Sequence, residues 1–241
     1  MNQEIGRIIG LFRYPVKSMA GEGLNSANLG WHGLEGDRRF AFRRTGNLSG
    51  MPWLTATRLP ELILYKASFD GEADKVPMQI QTPDGRMVAL EGEELREELS
   101  RKCGEEVQLI HLDSGIFDEA AVSVISPATI RQVERESGRP LDVRRFRPNI
   151  VIETLDGTPF GEDSWLGGSL LFGVASGGPT VNVTIRDMRC VMINLDPDTA
   201  DADARVMKAA VRLNGNNAGV YGTVTRTGEL SIGQSVFLRG E

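Results

Sequence analysis

Tyr221-Gly-Thr-Val-Thr-Arg-Thr-Gly-Glu-Leu-Ser-Ile-Gly-Gln-Ser-Val-Phe-Leu238 carries three short apolar runs, at 221–224, 230–232 and 236–238, parted by turn residues. Runs this short, bounded by Gly, Ser and Thr, match strands and are too brief for helices. Thr227-Gly228 has the residue types of a tight turn and predicts a hairpin between the first two runs. The same grammar recurs toward the N-terminus, at 191–195, 181–185, 170–172, 150–152, 122–125, 107–112, 87–90, 78–81, 62–67, 39–42 and 5–12. Pro83-Asp84-Gly85 predicts a second hairpin. The 28 glycines in 241 residues exceed the usual ~7% share and fit a chain with many tight turns.

Helices are few. Over 93–103, Leu95, Leu99 and Cys103 recur every fourth residue and Gly104 supplies a stop. Ser126-Pro127 pairs an N-cap with a proline at the first helical position and opens a second helix that ends at Gly138. A third is predicted over 202–213, before Asn214-Gly215. The reading is mainly β with a few helices, an α+β class. A break near Asp113-Ser114-Gly115 separates an expected unit 1–113 from an expected unit 114–241.

Composition narrows the function. Hydrophobic residues at 40% and charged residues at 25% are ordinary for a globular chain. No window holds the roughly 18 apolar residues of a membrane-spanning helix, so no membrane partner is expected. A net charge of -6 disfavours nucleic acid as a partner. Cys103 and Cys190 give neither a CxxC pair nor a disulfide framework, and the N-terminus lacks a secretory signal, which together predict a cytoplasmic protein. The GxSxG, HExxH, Walker A and GxGxxG motifs are absent. His32 sits in a turn and His111 on an alternating strand, where packing is the ordinary role.

Three segments carry possible chemistry. Val143-Arg-Arg-Phe-Arg-Pro-Asn-Ile150 places three arginines in four positions of an acidic chain just before a strand, and guanidinium forks suit phosphate. The same arginines would equally suit internal ion pairs with Asp142 or Glu153. Arg186-Asp-Met-Arg-Cys190 sets a thiol beside a fixed cation, which makes Cys190 a nucleophile, a soft metal ligand or a small buried hydrophobe. Tyr14-Pro-Val-Lys-Ser18 puts an amine and a hydroxyl on a proline-fixed bend, suited to a phosphate oxygen or simply to a solvated loop. Cys103 closes an amphipathic helix on its apolar face and is assigned no function.

Seven segments in order, Tyr14-Pro-Val-Lys-Ser18, Gly33-Leu-Glu-Gly-Asp-Arg38, Leu54-Thr-Ala56 with Leu59-Pro60, Phe146-Arg-Pro-Asn-Ile150, Glu162-Asp-Ser-Trp165, Arg189-Cys190 with Asp196-Pro-Asp-Thr199, and Gly219-Val-Tyr221, resemble the MOSC family. The resemblance runs from about residue 5 to 238 and is nearest to the mitochondrial amidoxime reducing components and their bacterial counterparts. It implies an N-terminal β-barrel domain over 1–113 packed with a β-barrel-like MOSC domain over 114–241. It implies a molybdenum–molybdopterin cofactor with Cys190 as the metal ligand and catalytic residue. Lys17, Ser18, Arg38, Arg147, Asn149, Arg189 and Tyr221 fall on positions that hold or flank the pterin and its phosphate. At the level of the family alone it also implies pyridoxal phosphate binding.

The expected activity is a molybdenum-dependent oxidoreductase that reduces N-hydroxylated or related small-molecule substrates with electrons from an external flavin or iron–sulfur reductase. The alternative is a carrier of the cofactor or of sulfur with no turnover. Two departures bear on this. The family's arginine before Pro60 is replaced by Thr57, with Arg58 beside it. Asp118 is followed by Glu119 and Ala120 where the reductases have small hydroxyl residues. Some bacterial relatives carry a C-terminal ferredoxin domain; none is expected after Arg239-Gly240-Glu241, so electrons are expected from outside. All of this requires three remote stretches to meet at one positively lined cleft with Cys190 at its mouth.

Overall fold

The computed structural model describes residues 2–46, 50–69 and 78–240. Among these, the first half forms β1 (Asn2–Arg13), β2 (Glu22–Leu24), β3 (Ser26–Gly30), β4 (Gly33–Leu34), β5 (Phe40–Arg44), β6 (Lys66–Phe69), β7 (Met78–Gln81), β8 (Met87–Ala89), α1 (Glu93–Cys103) and β9 (Val107–His111). The second half forms β10 (Val122–Ile125), α2 (Pro127–Ser137), β11 (Ile150–Thr154), β12 (Ser169–Phe172), β13 (Thr180–Met188), α3 (Ala204–Asn214), β14 (Asn217–Arg226), β15 (Gly228–Ser231) and β16 (Ser235–Arg239).

Seven strands close on themselves in the order β11, β10, β14, β13, β12, β16, β1, with β1 returning to β11. The barrel is antiparallel except between β10 and β11, where Val124 lies opposite Ile150 and α2 makes the crossover that a parallel pair needs. Period-two alternation sorts the side chains. Ile8, Leu11, Val124, Ile150, Ile152 and Val220 fill the interior. Their neighbours Phe12, Ile125 and Val151 face outward and pack with Ile130 and Val133 of α2 and Val206 and Ala209 of α3, joined by Ala218, which lies on that side because Gly219 with its positive φ interrupts the alternation before Val220. Strands buried on both faces explain why these runs are short and continuously apolar. The Ser126 side chain accepts from the Thr129 N–H and so caps α2, as its sequence predicts.

The N-terminal part builds a separate core. The β5–β9 pair, the β6-β7-β8 sheet and α1 enclose Phe42, Leu62, Ile80, Leu95, Leu99 and Val107. The two cores do not correspond to two uninterrupted stretches of chain. β1 is a stave of the barrel otherwise built from residues 122–239, and β3 pairs with β15. The chain thus crosses between the two cores several times, and the functional cleft lies at their seam.

Three local expectations need correction. Residues 191–195 are not a strand: Val191–Asn194 is a 3-10 turn in which the Ile193 N–H donates to the Cys190 carbonyl at 3.2 Å and buries Ile193 while Val191 stays exposed. Residues 62–64 likewise belong to a 3-10 helix, Pro60–Leu64, opened by its proline, and the strand begins only at Lys66. Thr227 alone links β14 to β15, whose first residue is Gly228, and no hairpin forms, because β15 leaves β14 to pair with β3. Gly228 passes so close to Pro179 that an added Cβ would lie 2.8 Å from its Cγ.

Candidate functional site: a cationic cleft at the seam of the two cores

Backbone bonds first join the loops. The Arg38 N–H donates to the Tyr14 carbonyl at 2.8 Å, the Lys17 N–H to Phe40 at 2.8 Å, and the Phe117 N–H to the Arg38 carbonyl at 2.9 Å. The Tyr14 N–H donates to the buried Asp37 carboxylate at 2.7 Å. Segments 14–18, 36–40 and 117–118 are thereby held as one unit beside the barrel end, where the Asn149 N–H donates to Ser123 and the Arg189 N–H to Asn216. Ser18, Arg38 and Arg147 all have left-handed backbone, with φ of 65°, 48° and 49°. Non-glycine residues held there mark positions that the surrounding structure over-determines.

These segments enclose a cavity of about 640 Å³ whose wall includes Lys17, Ser18, Arg38, Arg147, Arg189, Cys190 and Tyr221. Cys190 is exposed. The remote stretches therefore meet at one cleft, and the second thiol is open to it. Asn149 does not line the cavity. It is buried beneath it, with its side-chain oxygen accepting from Arg38 Nη1 at 3.2 Å and from the Ser123 N–H at 3.0 Å, so it positions Arg38.

The cations divide into two kinds. Arg38 is a clamp: Nε meets Asp118 at 2.7 Å, Nη1 donates to Asp37 at 2.6 Å, and Nη2 donates to the Arg147 carbonyl at 2.9 Å. Burial works against its charge, but the two carboxylates outweigh it and hold the guanidinium firmly protonated. Arg189 is also a clamp. Its Nε donates to the Ala218 carbonyl at 2.8 Å, Nη1 to Phe146 at 2.5 Å, and Nη2 meets Asp187 at 2.6 Å. Such fully engaged forks fix geometry and leave few donors for a ligand.

Lys17 and Arg147 are different. Neither has a carboxylate within ion-pair distance among the described residues. Lys17 Nζ donates to the Phe117 carbonyl at 2.7 Å, and Arg147 Nη1 donates to the Met19 carbonyl at 2.7 Å while its guanidinium lies 4.2 Å from the Tyr14 ring centroid. Burial lowers the pKa of Lys17, with Arg38 and Arg147 adding to the effect and Asp118 and Cys190 opposing it. Burial also lowers that of Arg147. These are the charges an anionic ligand would neutralise. Lys17, from the far end of the chain, shares the cavity wall with Cys190, whereas Arg189, the sequence neighbour of Cys190, turns inward to the barrel.

Acidic groups complete the wall. Burial raises Asp118, but Arg38 and Lys17 prevail and hold it below the usual carboxylate range. Tyr221 O–H donates to Asp118 at 3.2 Å, and burial with Asp187 and Asp118 nearby raises the pKa of the phenol. Asp187 is 1% exposed and accepts from the Ser123 hydroxyl at 2.6 Å. Burial pushes it up to about 6 against the pull of Arg189. Asp187 was not singled out from sequence. Its one visible signal is its place two residues before Arg189 on β13.

The departures can now be located. Arg58 ion-pairs with Glu105 and is not among the residues that line the cleft. Glu119 lines the cavity and adds negative charge to its rim. His111 stacks on Phe40 with centroids 4.4 Å apart, and His32 lies in an exposed turn. Neither reaches the cleft. Cys103 packs against the N-terminal core. Trp53, Phe117, Met188 and Met192 give the cleft apolar walls that no motif announced.

Among the described residues, no three His, Cys, Asp or Glu side chains gather as a metal site. Cys190 is the one thiol among the described residues that line the cleft, and with no carboxylate or imidazole cluster beside it a metal bound there would bring further ligands of its own. A metal carried by an anionic sulfur-bearing organic group fits that donor set, with Lys17 and Arg147 available to its negative charge. Among the described residues, no helix is long and apolar enough to cross a membrane.

Comparison with known proteins agrees with this architecture. Residues 5–123 match the MOSC N-terminal beta barrel domain and residues 110–237 the MOSC domain. The chain is 24% identical to human mitochondrial amidoxime-reducing component 1, covering 99% of this chain and 85% of that protein. It is 21% identical to bovine mitochondrial amidoxime reducing component 2, covering 98% and 84%. The crystal structure of the YUAD protein from Bacillus subtilis superposes over the full length of both chains with a TM-score of 0.54 at 13% identity, a likeness of fold. With its closed barrel, its N-terminal companion and a family match over more than half its length, this chain belongs to the MOSC family.

Proposed function

We propose that the cleft binds a molybdenum–pterin cofactor with Cys190 as the protein's ligand to the metal, and that the protein reduces N-hydroxylated or related N-oxygenated small molecules. Electrons would come from an external flavin or iron–sulfur reductase. The observation that carries this reading is the exposed Cys190 thiol on a cavity of about 640 Å³ that also gathers Lys17 and Arg147. The names of the amidoxime-reducing relatives support the reaction class.

When bound, the group supplies the two-electron chemistry that no side chain of this protein offers. Lys17 and Arg147 receive its negative charge, and Arg38, Arg189 and Asn149 hold the walls in register. Trp53 and Phe117, whose rings meet edge to face at 4.7 Å, give the substrate an apolar wall. Loss of water from an N–O substrate consumes protons. The Asp187 carboxyl, pushed up to about 6 at the cavity wall, would hold one in weakly acidic solution.

The test is expression in a host that makes the cofactor, followed by metal analysis and reduction of a simple amidoxime by chemically reduced protein. Stoichiometric molybdenum with turnover is expected, and Cys190→Ala should lose turnover while retaining the native circular dichroism spectrum. Stoichiometric metal without turnover would replace this reading with the carrier. Turnover undiminished in the Ala variant would overturn the ligand assignment.

A further inference from the structure

The carboxylates of the cleft wall differ in what they have left to give. Asp118 meets Arg38 Nε at 2.7 Å and accepts from the Tyr221 hydroxyl at 3.2 Å. Asp187 meets Arg189 Nη2 at 2.6 Å and accepts from the Ser123 hydroxyl at 2.6 Å. Glu119 is the third carboxylate of the wall among the described residues, and it is exposed. Its backbone N–H donates to Asp118 Oδ1 at 2.9 Å, which ties the residue to the Arg38 clamp. Its own carboxylate has no hydrogen bond or ion pair to any described residue, so the charge is unengaged at the cavity.

The same wall carries the Trp53 and Phe117 rings, set edge to face, with Phe117 two residues before Glu119 in the chain. An aromatic face attracts an organic cation through its ring quadrupole. The rings alone would accept a neutral aromatic compound. An unengaged carboxylate on the same cavity favours a guest that is also positively charged and opposes one that is negatively charged, because opposite charges attract and like charges repel across a partly desolvated site.

We infer that Glu119 is a specificity-determining residue and that the cleft selects N-oxygenated substrates that carry a positive charge, received by the Glu119 carboxylate and the Trp53 and Phe117 rings. This selectivity presupposes the function proposed above, in which an anionic group in the cleft answers Lys17 and Arg147; without that group the two cations would oppose a positively charged guest. The sequence departs from the reductases at Glu119, so the preference is a property of this chain.

Two amidoximes of the same shape and different charge test this: benzamidoxime with a para trimethylammonium group, and its para tert-butyl isostere. Each is titrated calorimetrically, without reductant, into the full chain made in a cofactor-producing host, with the molybdenum content measured. The cationic compound should bind the wild type about tenfold more tightly than the neutral one, and less so at high salt. Glu119→Gln should cut the preference to about threefold, the share of the rings, and Glu119→Asp should restore part of it, with folding checked by near-UV circular dichroism. With reductant supplied, the ratio of kcat/KM for the cationic over the neutral compound should fall in Glu119→Gln by a similar factor, through KM. Equal affinity of the wild type for the two compounds overturns the assignment, as does a preference that Glu119→Gln leaves unchanged or a failure of both compounds to bind. Reduction of both compounds without preference keeps the reductase function and overturns the role of Glu119. Preferential binding that Glu119→Gln weakens, with neither compound reduced, supports Glu119 and overturns the reductase function.

Discussion

Arg38 Nε and Asp118 Oδ2 stand 2.7 Å apart, joining the loop before β5 to the loop before β10 across eighty residues of chain. The contact closes one side of the cleft, because Asp118 also accepts from Tyr221 on β14 while Arg38 reaches Asn149 and the Arg147 carbonyl. Four segments of the chain, at 37–38, 118, 147–149 and 221, thus depend on one buried guanidinium and its partners.

Asp118→Asn should therefore cost stability. A hydrogen-bonded charge pair of this kind contributes about 1–2 kcal/mol, since Arg38 keeps Asp37. The Asp118 pKa is lowered in the folded state, so its contribution is present above the ordinary carboxylate range and is lost as pH falls through the lower folded value. Urea unfolding should show a wild-type advantage at pH 7 that shrinks toward zero in strong acid. An advantage that does not vary with pH would count against the ion pair.

Asp187 should behave in the opposite sense. Its folded pKa, pushed up to about 6, lies above that of the unfolded chain, so its contribution is full below the unfolded value near pH 4 and declines as pH rises through 6. Asp187→Asn should remove about 2–3 kcal/mol of the stability lost between pH 4.5 and 7.5. Identical slopes for variant and wild type would mean that Arg189 dominates and the carboxyl is ionised throughout.

Ser18 has φ of 65°, which a glycine adopts freely and an alanine does not. Ser18→Gly and Ser18→Ala both delete the hydroxyl that faces Met192 Sδ at 3.8 Å. The glycine variant should be the more stable of the two by about 1 kcal/mol, and both should retain less metal than wild type after gel filtration. Equal melting temperatures would show that the loop relaxes.

Gly219, with φ of +87°, would place a Cβ 2.4 Å from the Val124 carbonyl and 3.2 Å from Arg189 Nη2. Gly219→Ala should cost about 2–3 kcal/mol and disturb the clamp that Arg189 makes on Ala218. Thermal unfolding measures the first effect. A melting temperature within a degree of wild type would show that β14 and β10 move apart to admit the methyl group.

Local grammar in the amino-acid chain was enough for most elements. Met78–Gln81, Glu93–Cys103 and Val122–Ile125 appear at the residues where periodicity, caps and turns put them, because each is decided by neighbours a few positions away. It failed where partners are distant. The apolar stretch after Cys190 curls into a 3-10 turn, and the strand that begins at Gly228 pairs with β3 almost two hundred residues away instead of with its predecessor. The family motifs gathered Lys17, Ser18, Arg38, Arg147, Arg189, Cys190 and Tyr221, and the fold brings them to one cavity. Which of them keep their charge free of carboxylate partners was a matter for the tertiary structure alone. A guanidinium is charged wherever it lies, but whether that charge remains available depends on the carboxylates and carbonyls the fold sets around it. Asp37, Asp118 and Asp187 engage Arg38 and Arg189, while Lys17 and Arg147 stay unpaired by any carboxylate among the described residues.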